Sequence, residues 1–394
     1  MKHQPHFPGT LPPPPQHCDV LILGAGLAGL WVAAELTEKG VSVALIGAAP
    51  AASSLEWSGS GFAGLGLAES PHRTVSAVGP ELTLELDRWA RRSHSLLERC
   101  GGLERSGSVT LARDARELRE LDESDPALEL LERSTLRWTP REAALKLGRV
   151  GVIGARWNPD DAQVHGPAIQ LSLHRRLRES GCAGIVVGAG LRLDHELCLW
   201  DGARRITGAE MVVYTSAPIA QISSTFFAET TALIQAQSIQ LGAPLRGTPP
   251  PALPPLRTPG DYIWWRDLGA GAIRAGGCRW AAQGMGVRET PESGRDAAGP
   301  PCPKVTEQIE RVSRELLPID PRPGHAPATC LMEFTCDGLP LVGPLAGDPA
   351  RIACLGYADR PWTFAPAAAE IVAKGILGHP VTIPSGLRPS RMAL

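Results

Sequence analysis

The sequence lacks the features that mark membrane, nucleic-acid-binding and metal-binding proteins. None of its apolar runs approaches the ~20 residues that a membrane-spanning helix needs. Its net charge is −2 and it contains no basic tract of the kind that follows a phosphate backbone, so no nucleic acid is predicted as a partner. The nine cysteines include no C-x-x-C pair, and the ten histidines form no cluster with carboxylates. We therefore predict free thiols, no metal and no disulfide framework.

The N-terminal segment lacks the basic region and apolar core of a secretory signal. It is instead rich in proline, with an uninterrupted run from Pro12 to Pro15. We predict a flexible tail over residues 1–17 and a cytoplasmic protein. With 394 residues, the chain is long enough to form two lobes.

The most informative local pattern is a glycine turn between an apolar strand and a helix. Val20–Leu23 is a continuous apolar run, typical of a strand that is buried on both faces. Gly24, Gly26 and Gly29 follow as G-x-G-x-x-G, in which the glycines allow the tight turn, the approach of a pyrophosphate and close packing of helix on strand. A second apolar strand is predicted from Val41 to Ile46. The pattern predicts a dinucleotide-binding unit with the phosphates at the helix N-terminus.

The second strand does not end in the acidic residue that usually binds the ribose hydroxyls in such units. Gly47 stands at that position, and the nearest acid further along the chain is Glu56. The sequence therefore predicts a pyrophosphate contact but offers no clear partner for the adenosine end.

Small residues dominate the loop that contains Ser58, Gly59 and Gly61. Backbone can approach a flat ligand closely only where side chains are short, so this loop is a candidate to lie along the cofactor. The alternative is a glycine-rich surface loop without a ligand.

A second glycine junction is predicted towards the C-terminal end of the sequence. An extended run from Cys330 turns at Asp337-Gly338 and continues to Gly343, and a later strand ends at Gly356. A helix predicted over Phe364–Leu377 follows, so its N-terminus would also point at a ligand.

These motifs, in this order, resemble the D-amino-acid oxidase type of FAD-dependent oxidoreductases, which includes glycine oxidase and sarcosine oxidase. The resemblance is carried by the first glycine turn, the Ser58-Gly59 loop, the helix after His165, Gly276-Gly277-x-Arg279-Trp280, the Asp337–Pro344 run and the junction at Gly356. It extends from about Cys18 to Gly378.

The resemblance implies an α/β protein of two lobes, in which a Rossmann-type FAD-binding lobe is joined to a mostly antiparallel β-sheet that forms the substrate lobe. Residues 18–75, 149–225 and 331–394 would form the FAD-binding domain. Residues 76–148 and 226–330 would form the substrate or cap domain.

FAD is the cofactor that the resemblance implies. The implied contact residues are Gly24, Gly26, Leu27, Ala28, Gly29, Ser58, Gly59, Gly61, Asp337, Gly338, Gly343, Gly356, Arg360 and Cys330. The implied reaction is oxidation of a C–N bond, in which the α-carbon of a neutral amine gives a hydride to flavin N5 and the imine is then hydrolysed. Because the amine would arrive neutral, no general base is assigned.

Two departures from the family concern the flavin. Asp359-Arg360-Pro361 stands where the family often has Gly-His-Gly, and Arg360 would stabilise the anionic reduced ring by its charge. The alternative for Arg360 is a surface ion pair with Asp359. Cys330 lies seven residues before Asp337, which is the spacing of covalent flavin attachment in the sarcosine-oxidase branch. The alternative for Cys330 is an ordinary core cysteine.

A third departure concerns the substrate. Members that oxidise amino acids often have an arginine five residues before the Asp-Gly turn, which grips the carboxylate. Met332 and Glu333 stand here, and both are poor carboxylate receptors, which favours a cationic amine. Arg266 and Arg279 are possible replacements.

The candidate catalytic residues are Arg360, Tyr262 and Arg279. Tyr262 and Tyr357 are hydroxyl candidates over the flavin ring. Trp264, Trp265 and Trp280 either line an apolar cavity or pack within the sheet.

We predict an FAD-dependent amine or amino-acid oxidoreductase that acts on a small molecule. Two alternatives stay open. One is a non-catalytic flavoprotein subunit that works with a protein partner, which Gly47 and the altered junction at Asp359–Pro361 keep in play. The other is a dehydrogenase that passes electrons to a partner or a quinone instead of oxygen.

Overall fold

A computed structural model gives the fold of the chain. The structure describes residues 11–48, 60–148, 151–187, 191–218, 220, 224–242, 253–269, 271–282, 287–288, 299–317 and 323–392. Among these residues, no helix is long and apolar enough to cross a membrane. The mixed α/β architecture predicted from the sequence is confirmed, with two large sheets and one small one.

The first large sheet contains eight strands and is organised around β1 (His17–Leu23). β1 lies parallel to β2 (Val43–Ala48) on one side and to β12 (Arg204–Tyr214) on the other. The other strands are β9 (Ala183–Val187), β10 (Leu191–Leu193), β11 (Cys198–Asp201), β19 (Leu341–Leu345) and β20 (Asp348–Leu355). Since β20 pairs with β12, segments far apart in the sequence complete one sheet.

Three helices form a row beside this sheet, in which the last of them along the chain contacts the other two. They are α1 (Leu27–Thr37), α2 (Pro71–Arg99) and α9 (Pro361–Ile376), and α1 also contacts α6 (Gly166–Glu179). α1 is apolar on nearly every side and almost wholly buried, as expected for a helix in the interior of a lobe. The glycine turn therefore enters a rigid, buried helix.

The second large sheet contains nine strands and is mostly antiparallel. Its strands are β5 (Ser108–Ala112), β6 (Leu136–Trp138), β7 (Gly154–Asn158), β13 (Thr231–Leu241), β14 (Leu256–Arg257), β15 (Ile263–Gly269), β16 (Ala272–Gly277), β17 (Val287–Arg288) and β18 (Pro323–Thr335). β14 and β5 form its parallel pair.

The two faces of the nine-stranded sheet differ in chemistry. One face packs Ile263 and Trp265 against α8 (Pro303–Leu316), and Trp265 Nε1 donates to Ser313 Oγ at 2.7 Å. The strand register places Trp264 and Arg257 on the opposite face, because successive side chains of a strand alternate between faces. One face is therefore core, and the other is available for a site.

The third sheet is small and contains three strands. It pairs β8 (Ala162–Val164) with β3 (Phe62–Ala63) and β4 (Leu103–Glu104). The other described helices are α3 (Ala115–Glu123), α4 (Asp125–Leu130), α5 (Pro140–Leu147) and α7 (Thr225–Thr230), with 3-10 turns at Pro259–Asp261, Arg279–Ala282, Ser385–Leu387 and Pro389–Met392.

Several sequence-based element predictions are confirmed closely. The predicted start of α5 forms a capping box, in which Thr139 Oγ1 accepts from Glu142 N and the Glu142 carboxylate accepts from Thr139 N. α2 is longer than the helix predicted from Glu81, because a first helical stretch begins at Pro71 and joins the predicted helix across a non-helical kink at Gly79. This polar first stretch carries no apolar repeat, which is why the sequence did not indicate it.

Candidate active site

The first glycine turn is packed tightly on its own backbone at Gly29 and on Thr215 and Ser216 at Gly24. Gly24 has φ of +124°, and a Cβ there would lie 2.6 Å from both Thr215 Oγ1 and Ser216 Cβ. A Cβ on Gly29 would overlap the carbonyl oxygen of Gly24. Thr215 Oγ1 donates to that same carbonyl at 2.8 Å. No side chain larger than hydrogen fits at Gly24 or Gly29 without moving the turn.

The N-terminus of α1 is suited to an anion. Gly26 is its N-cap residue and makes no side-chain capping bond, and no acidic residue lies in the first turn. Gly26, Leu27, Ala28 and Gly29 therefore place the first backbone amides of the helix beside the turn, at the positive end of its dipole.

Gly47 lies in β2 directly beside the turn. A Cβ there would lie 2.8 Å from Ala25 Cβ, so a carboxylate side chain would have to displace the glycine turn. The packing at Gly47 therefore leaves no room for the acidic side chain that usually stands at this position.

Three other residues named from the sequence, Glu56, Ser58 and Gly59, lie outside the described residues.

The segment Gly61–Leu65 is held by backbone pairing with β8, including Val164 N donating to Gly61 O at 2.8 Å, and by side chains from elsewhere. His94 Nε2 donates to Ala63 O at 2.6 Å, and Thr363 Oγ1 donates to Gly64 O at 2.9 Å. Burial lowers the pKa of His94, so the imidazole is neutral. Gly61 adopts φ of +65°, and its missing side chain leaves room for the Arg266 guanidinium.

Asp161 is the main anchor of this segment. Its buried carboxylate accepts from Leu65 N at 2.8 Å, from Ser108 Oγ at 2.5 Å and from Arg257 Nη2 at 3.0 Å. Burial raises the pKa of Asp161, but Arg257 and these hydrogen bonds outweigh burial and hold the pKa below its ordinary value. Arg133 adds a bond from Nη1 to Leu65 O and pairs with Asp87.

Two arginines from different parts of the fold converge at Gly64. A Cβ on Gly64 would lie 2.7 Å from Arg360 Nη1 and 3.3 Å from Arg257 Nη1, which places the two nitrogens within about 6 Å of each other. Arg257 comes from β14, whereas Arg360 is the N-cap residue of α9. Arg360 is only 2% exposed, and its Nε lies 3.9 Å from Asp359 Oδ1, so the ion pair with Asp359 forms, but at a buried guanidinium and not at the surface. Its role towards the flavin stays a prediction.

The Asp337 carboxylate is engaged within its own turn. It accepts from Arg391 Nε at 2.7 Å, from Leu339 N at 3.1 Å and from Thr335 Oγ1 at 3.1 Å. Gly338, at φ +74°, completes the turn between β18 and β19. Any contact of Asp337 with a cofactor would therefore be made by its backbone. Gly343 lies in β19 and Gly356 directly after β20, near the N-terminus of α9.

Cys330 and Met332 lie on β18, and both are buried. Their cross-strand partners are Ala236 and Ile234, which places them on the face of the sheet opposite α8. Glu333 points elsewhere, since its carboxylate accepts from Ala217 N at 2.9 Å. Glu333 is thus committed to the chain itself, which weakens the case for a cationic substrate received there.

Tyr262 and Trp280 line an open cleft. They form an edge-to-face pair with ring centroids 6.4 Å apart, and their exposed fractions are 48% and 42%. The cleft has a volume of about 410 Å³, and ion pairs such as Arg73–Glu120 and Arg113–Glu117 line its other side. Arg279 stands beside Trp280 at the start of a 3-10 turn, and burial lowers its pKa.

A smaller cavity adjoins the cleft. It has a volume of about 50 Å³ and shares Glu69, Ser70, Pro259 and Gly260 with the cleft. Its own lining includes the guanidinium-bearing residues Arg133, Arg156 and Arg257 together with Asn158. We refer to the two spaces as the outer cleft and the inner cavity.

Two other predicted residues, Tyr357 and Trp265, are buried. The Tyr357 hydroxyl lies 3.1 Å from Cys354 Sγ, and burial raises the pKa of Tyr357 well above its ordinary value. Trp265 is core, whereas Trp264 lies on the opposite face of the sheet, across Gly276. Within the part of the chain that the structure describes, no cluster of His, Cys, Asp or Glu is arranged to hold a metal ion.

The sequence did not indicate the inner cavity or its arginines. Arg133, Arg257 and the stretch from Arg156 to Asp161 are far apart in the sequence, and strand pairing through β5 brings Arg156 and Arg257 together. One local signal was present, because two carboxylates, Asp160 and Asp161, follow directly after the strand that ends at Asn158. Polar side chains just after a strand are candidates for a site at the end of the sheet.

Comparison with known proteins identifies the family. The family model described as FAD dependent oxidoreductase, DAO, matches residues 19–374. The chain belongs to this family. A search of curated protein sequences found no match.

Solved structures support the fold. The chain is similar to glycine oxidase from Geobacillus kaustophilus, with 17% identity, a TM-score of 0.76, and coverage of 96% of this chain and 99% of that one. It is similar to iminodiacetate oxidase from Chelativorans sp. BNC1, with 19% identity, a TM-score of 0.74, and coverage of 94% and 98%. It is also similar to L-proline dehydrogenase from P. horikoshii, with 17% identity, a TM-score of 0.71, and coverage of 96% and 98%. The resemblance inferred from the motifs is thus confirmed.

The protein is an FAD-dependent oxidoreductase, and the glycine turn fits the cofactor. Gly24 and Gly29 leave no space for a side chain, and the uncapped N-terminus of α1 directs its amides to the same place. This is the arrangement that a pyrophosphate requires.

Proposed function

We propose that this FAD-dependent oxidoreductase oxidises the C–N bond of a small amine or amino acid. The observation that supports this most directly is the likeness over both lobes to glycine oxidase, iminodiacetate oxidase and L-proline dehydrogenase, whose names all denote oxidation of an amino compound. The outer cleft, which is of a size suited to a small molecule, adds geometric support.

The residues of the chain would hold the reactants and set the local charge. Gly24, Gly26 and Gly29 would bind the pyrophosphate, and bound FAD would supply the two-electron acceptor. Arg360 would place a buried positive charge near Gly64, where it would favour negative charge developing on a neighbouring group. Tyr262 and Arg279 would line the substrate side.

The proposed reaction is balanced in atoms and charge. The α-carbon loses a hydride to the acceptor, the nitrogen loses a proton to solvent, and water then converts the imine to a carbonyl compound and a free amine or ammonia. The buried residues near Gly64 would keep bulk water from the reacting carbon.

The test is anaerobic reduction of the bound flavin. We expect the flavin absorbance of the purified protein to bleach when a suitable amine or amino acid is added from a panel. A protein that binds FAD and is bleached by dithionite, but by no member of a broad panel, would contradict the proposal. Peroxide measurement during aerobic turnover then separates an oxidase from a dehydrogenase.

A further inference from the structure

The inner cavity brings arginines from separate elements to one small space. Arg156 is on β7 and Arg257 is on β14, and both pair in register with Thr110 of the intervening strand β5. Neighbouring strands lie about 4.8 Å apart, so two strand spacings separate the backbones of the two arginines by about 10 Å. Thr110 lines the inner cavity together with both arginines. The register therefore creates a basic recess.

Arg156 has unused hydrogen-bonding capacity in this recess. It is 3% exposed, and its Nη2 donates to Leu121 O at 2.5 Å and pairs with Asp125. Its buried Nε has no hydrogen-bond partner among the described residues. Burial lowers the pKa of Arg156 to about 10, and the group stays charged at neutral pH. A buried donor of a charged group without an acceptor is costly and indicates a missing ligand or water.

Arg257 connects the recess to the candidate active site. One of its nitrogens is bonded to Asp161, while Nη1 lies 3.3 Å from the Cβ position of Gly64. The inner cavity also adjoins the outer cleft at Pro259 and Gly260, which line both. A small molecule in the cleft could therefore extend one group into the recess.

The lining favours an anion. The described lining contains three arginines, Arg133, Arg156 and Arg257, and one acidic residue, Glu69. The carboxylates that pair with these arginines do not line the cavity. The volume of about 50 Å³ exceeds the roughly 10–15 Å³ that one water needs, so it accommodates a group of a few atoms. Planar guanidinium groups match carboxylates particularly well, because they can donate two parallel hydrogen bonds.

We propose that the inner cavity is a carboxylate subsite, in which Arg156 and Arg257 bind the carboxylate of the substrate. The inference rests on the proposed function and makes the substrate an amino acid or another carboxylate-bearing amine. It also explains how the chain manages without an arginine at Met332, since the receptor is supplied by β7 and β14 instead of β18.

The decisive variant is Arg156→Met. Its partner Asp125 is half-exposed and stays solvated, so the substitution does not leave a buried carboxylate unpaired. Arg137→Met is the matched control, because Arg137 is the cross-strand neighbour of Arg156, pairs with Asp122 and does not line the cavity. A third variant, Arg156→Lys, keeps the positive charge but loses the planar guanidinium group that can donate two parallel hydrogen bonds to a carboxylate.

The experiment titrates the FAD-loaded protein with propionate, propylamine and inorganic phosphate, and follows both the flavin spectrum and the melting temperature. Propionate should bind to the wild type and to Arg137→Met alike. Arg156→Met should bind propionate about tenfold more weakly, with Arg156→Lys in between, because hydrogen bonds to charged groups have this magnitude. Propylamine binding should be equal in all four proteins.

Three results would overturn the subsite: no response of the wild type to propionate, unchanged propionate affinity in Arg156→Met, or tighter binding of phosphate than of propionate. A parallel measurement of FAD affinity is needed, because a tenfold loss of FAD with unchanged propionate binding would assign the arginine to the cofactor instead. If no amine or amino acid bleaches the flavin but propionate behaves as expected, the proposed function fails and the subsite stands. If amines bleach the flavin and Arg156→Met does not change carboxylate binding, the proposed function stands and the subsite fails.

Discussion

Two glycine segments meet the candidate active site, and they are built in opposite ways. The turn at Gly24–Gly29 is packed by backbone, since a Cβ on Gly29 would strike a peptide carbonyl. The segment Gly61–Leu65 pairs with β8 through its backbone, but its further anchors are the side chains of Asp161, His94 and Thr363, and its glycines make room for the flexible ends of arginines. The first segment is therefore rigid by geometry, whereas the second depends on the charge state of its neighbours. Substitutions should affect them differently.

The largest effect should come from Gly29→Ala. Because the new methyl group overlaps the Gly24 carbonyl, the strand and helix must separate, which should cost about 3 kcal/mol of unfolding free energy. FAD affinity should fall at least about a hundredfold, since the pyrophosphate approaches this turn. Denaturant unfolding and FAD titration measure the two losses. Gly375→Ala in α9 is the control, because its Cβ would make only an ordinary contact at 3.4 Å. Equal unfolding free energy and equal FAD affinity of the two variants would show that the turn at Gly24–Gly29 is not constrained by its packing.

Asp161→Asn should have the next largest effect. The amide retains an acceptor for Leu65 N but leaves Arg257 without its charged partner, which should cost about 2 kcal/mol of unfolding free energy. Its neighbour Asp160 is exposed, so Asp160→Asn should change the unfolding free energy by less than about 0.5 kcal/mol. Urea unfolding of both variants tests the difference. A stable Asp161→Asn protein would show that the second segment does not depend on charge.

The pH dependence of stability should reveal His94. Burial lowers its pKa in the folded protein, so the unfolded chain binds a proton that the folded chain does not as pH falls below the ordinary histidine value of about 6.5. Unfolding free energy should therefore decline between about pH 6.5 and 5, before the carboxylates titrate. His94→Gln should flatten this slope, while His195→Gln, at a fully solvated position, should not. An unchanged slope in His94→Gln would contradict the assignment.

The smallest effect on stability should come from Gly64→Ala. Its Cβ would displace only the tips of Arg360 and Arg257, so unfolding free energy should change by less than about 1 kcal/mol. FAD binding should persist, but substrate turnover should fall because both guanidinium groups must move. Steady-state kinetics beside a melting curve measures this separation. A loss of stability as large as that of Gly29→Ala would show that the two segments are alike after all.

The parts of this fold that the sequence indicated are those whose signal is local. β1, the glycine turn and α1 lie within His17–Thr37, and the continuous apolar run with its glycines needs no distant partner to be understood. The turn at Asp337-Gly338 and the helix after Gly356 were indicated for the same reason. The family resemblance then linked these local signals into one architecture.

The side-chain anchors of the second segment could not be read in this way. Asp161 and Arg257 are separated by most of a hundred residues, and their contact depends on how β5 pairs with both β7 and β14. Asp337 shows a related limit, since its position in a family motif implied a cofactor contact, which stays a prediction, but did not indicate that its carboxylate is bonded to Arg391. Position along the chain indicated where these residues lie, but not what each side chain faces.

The turn between β18 and β19 has a mechanical consequence. The chain passes there directly from the nine-stranded sheet into the eight-stranded sheet, and Arg391 ties Asp337 and Leu339 O together at the crossing. A hinge motion of one lobe relative to the other would have to deform this hydrogen-bonded turn. We therefore expect the lobes to behave as a stiff frame, with molecules exchanged through the outer cleft instead of by opening of a hinge.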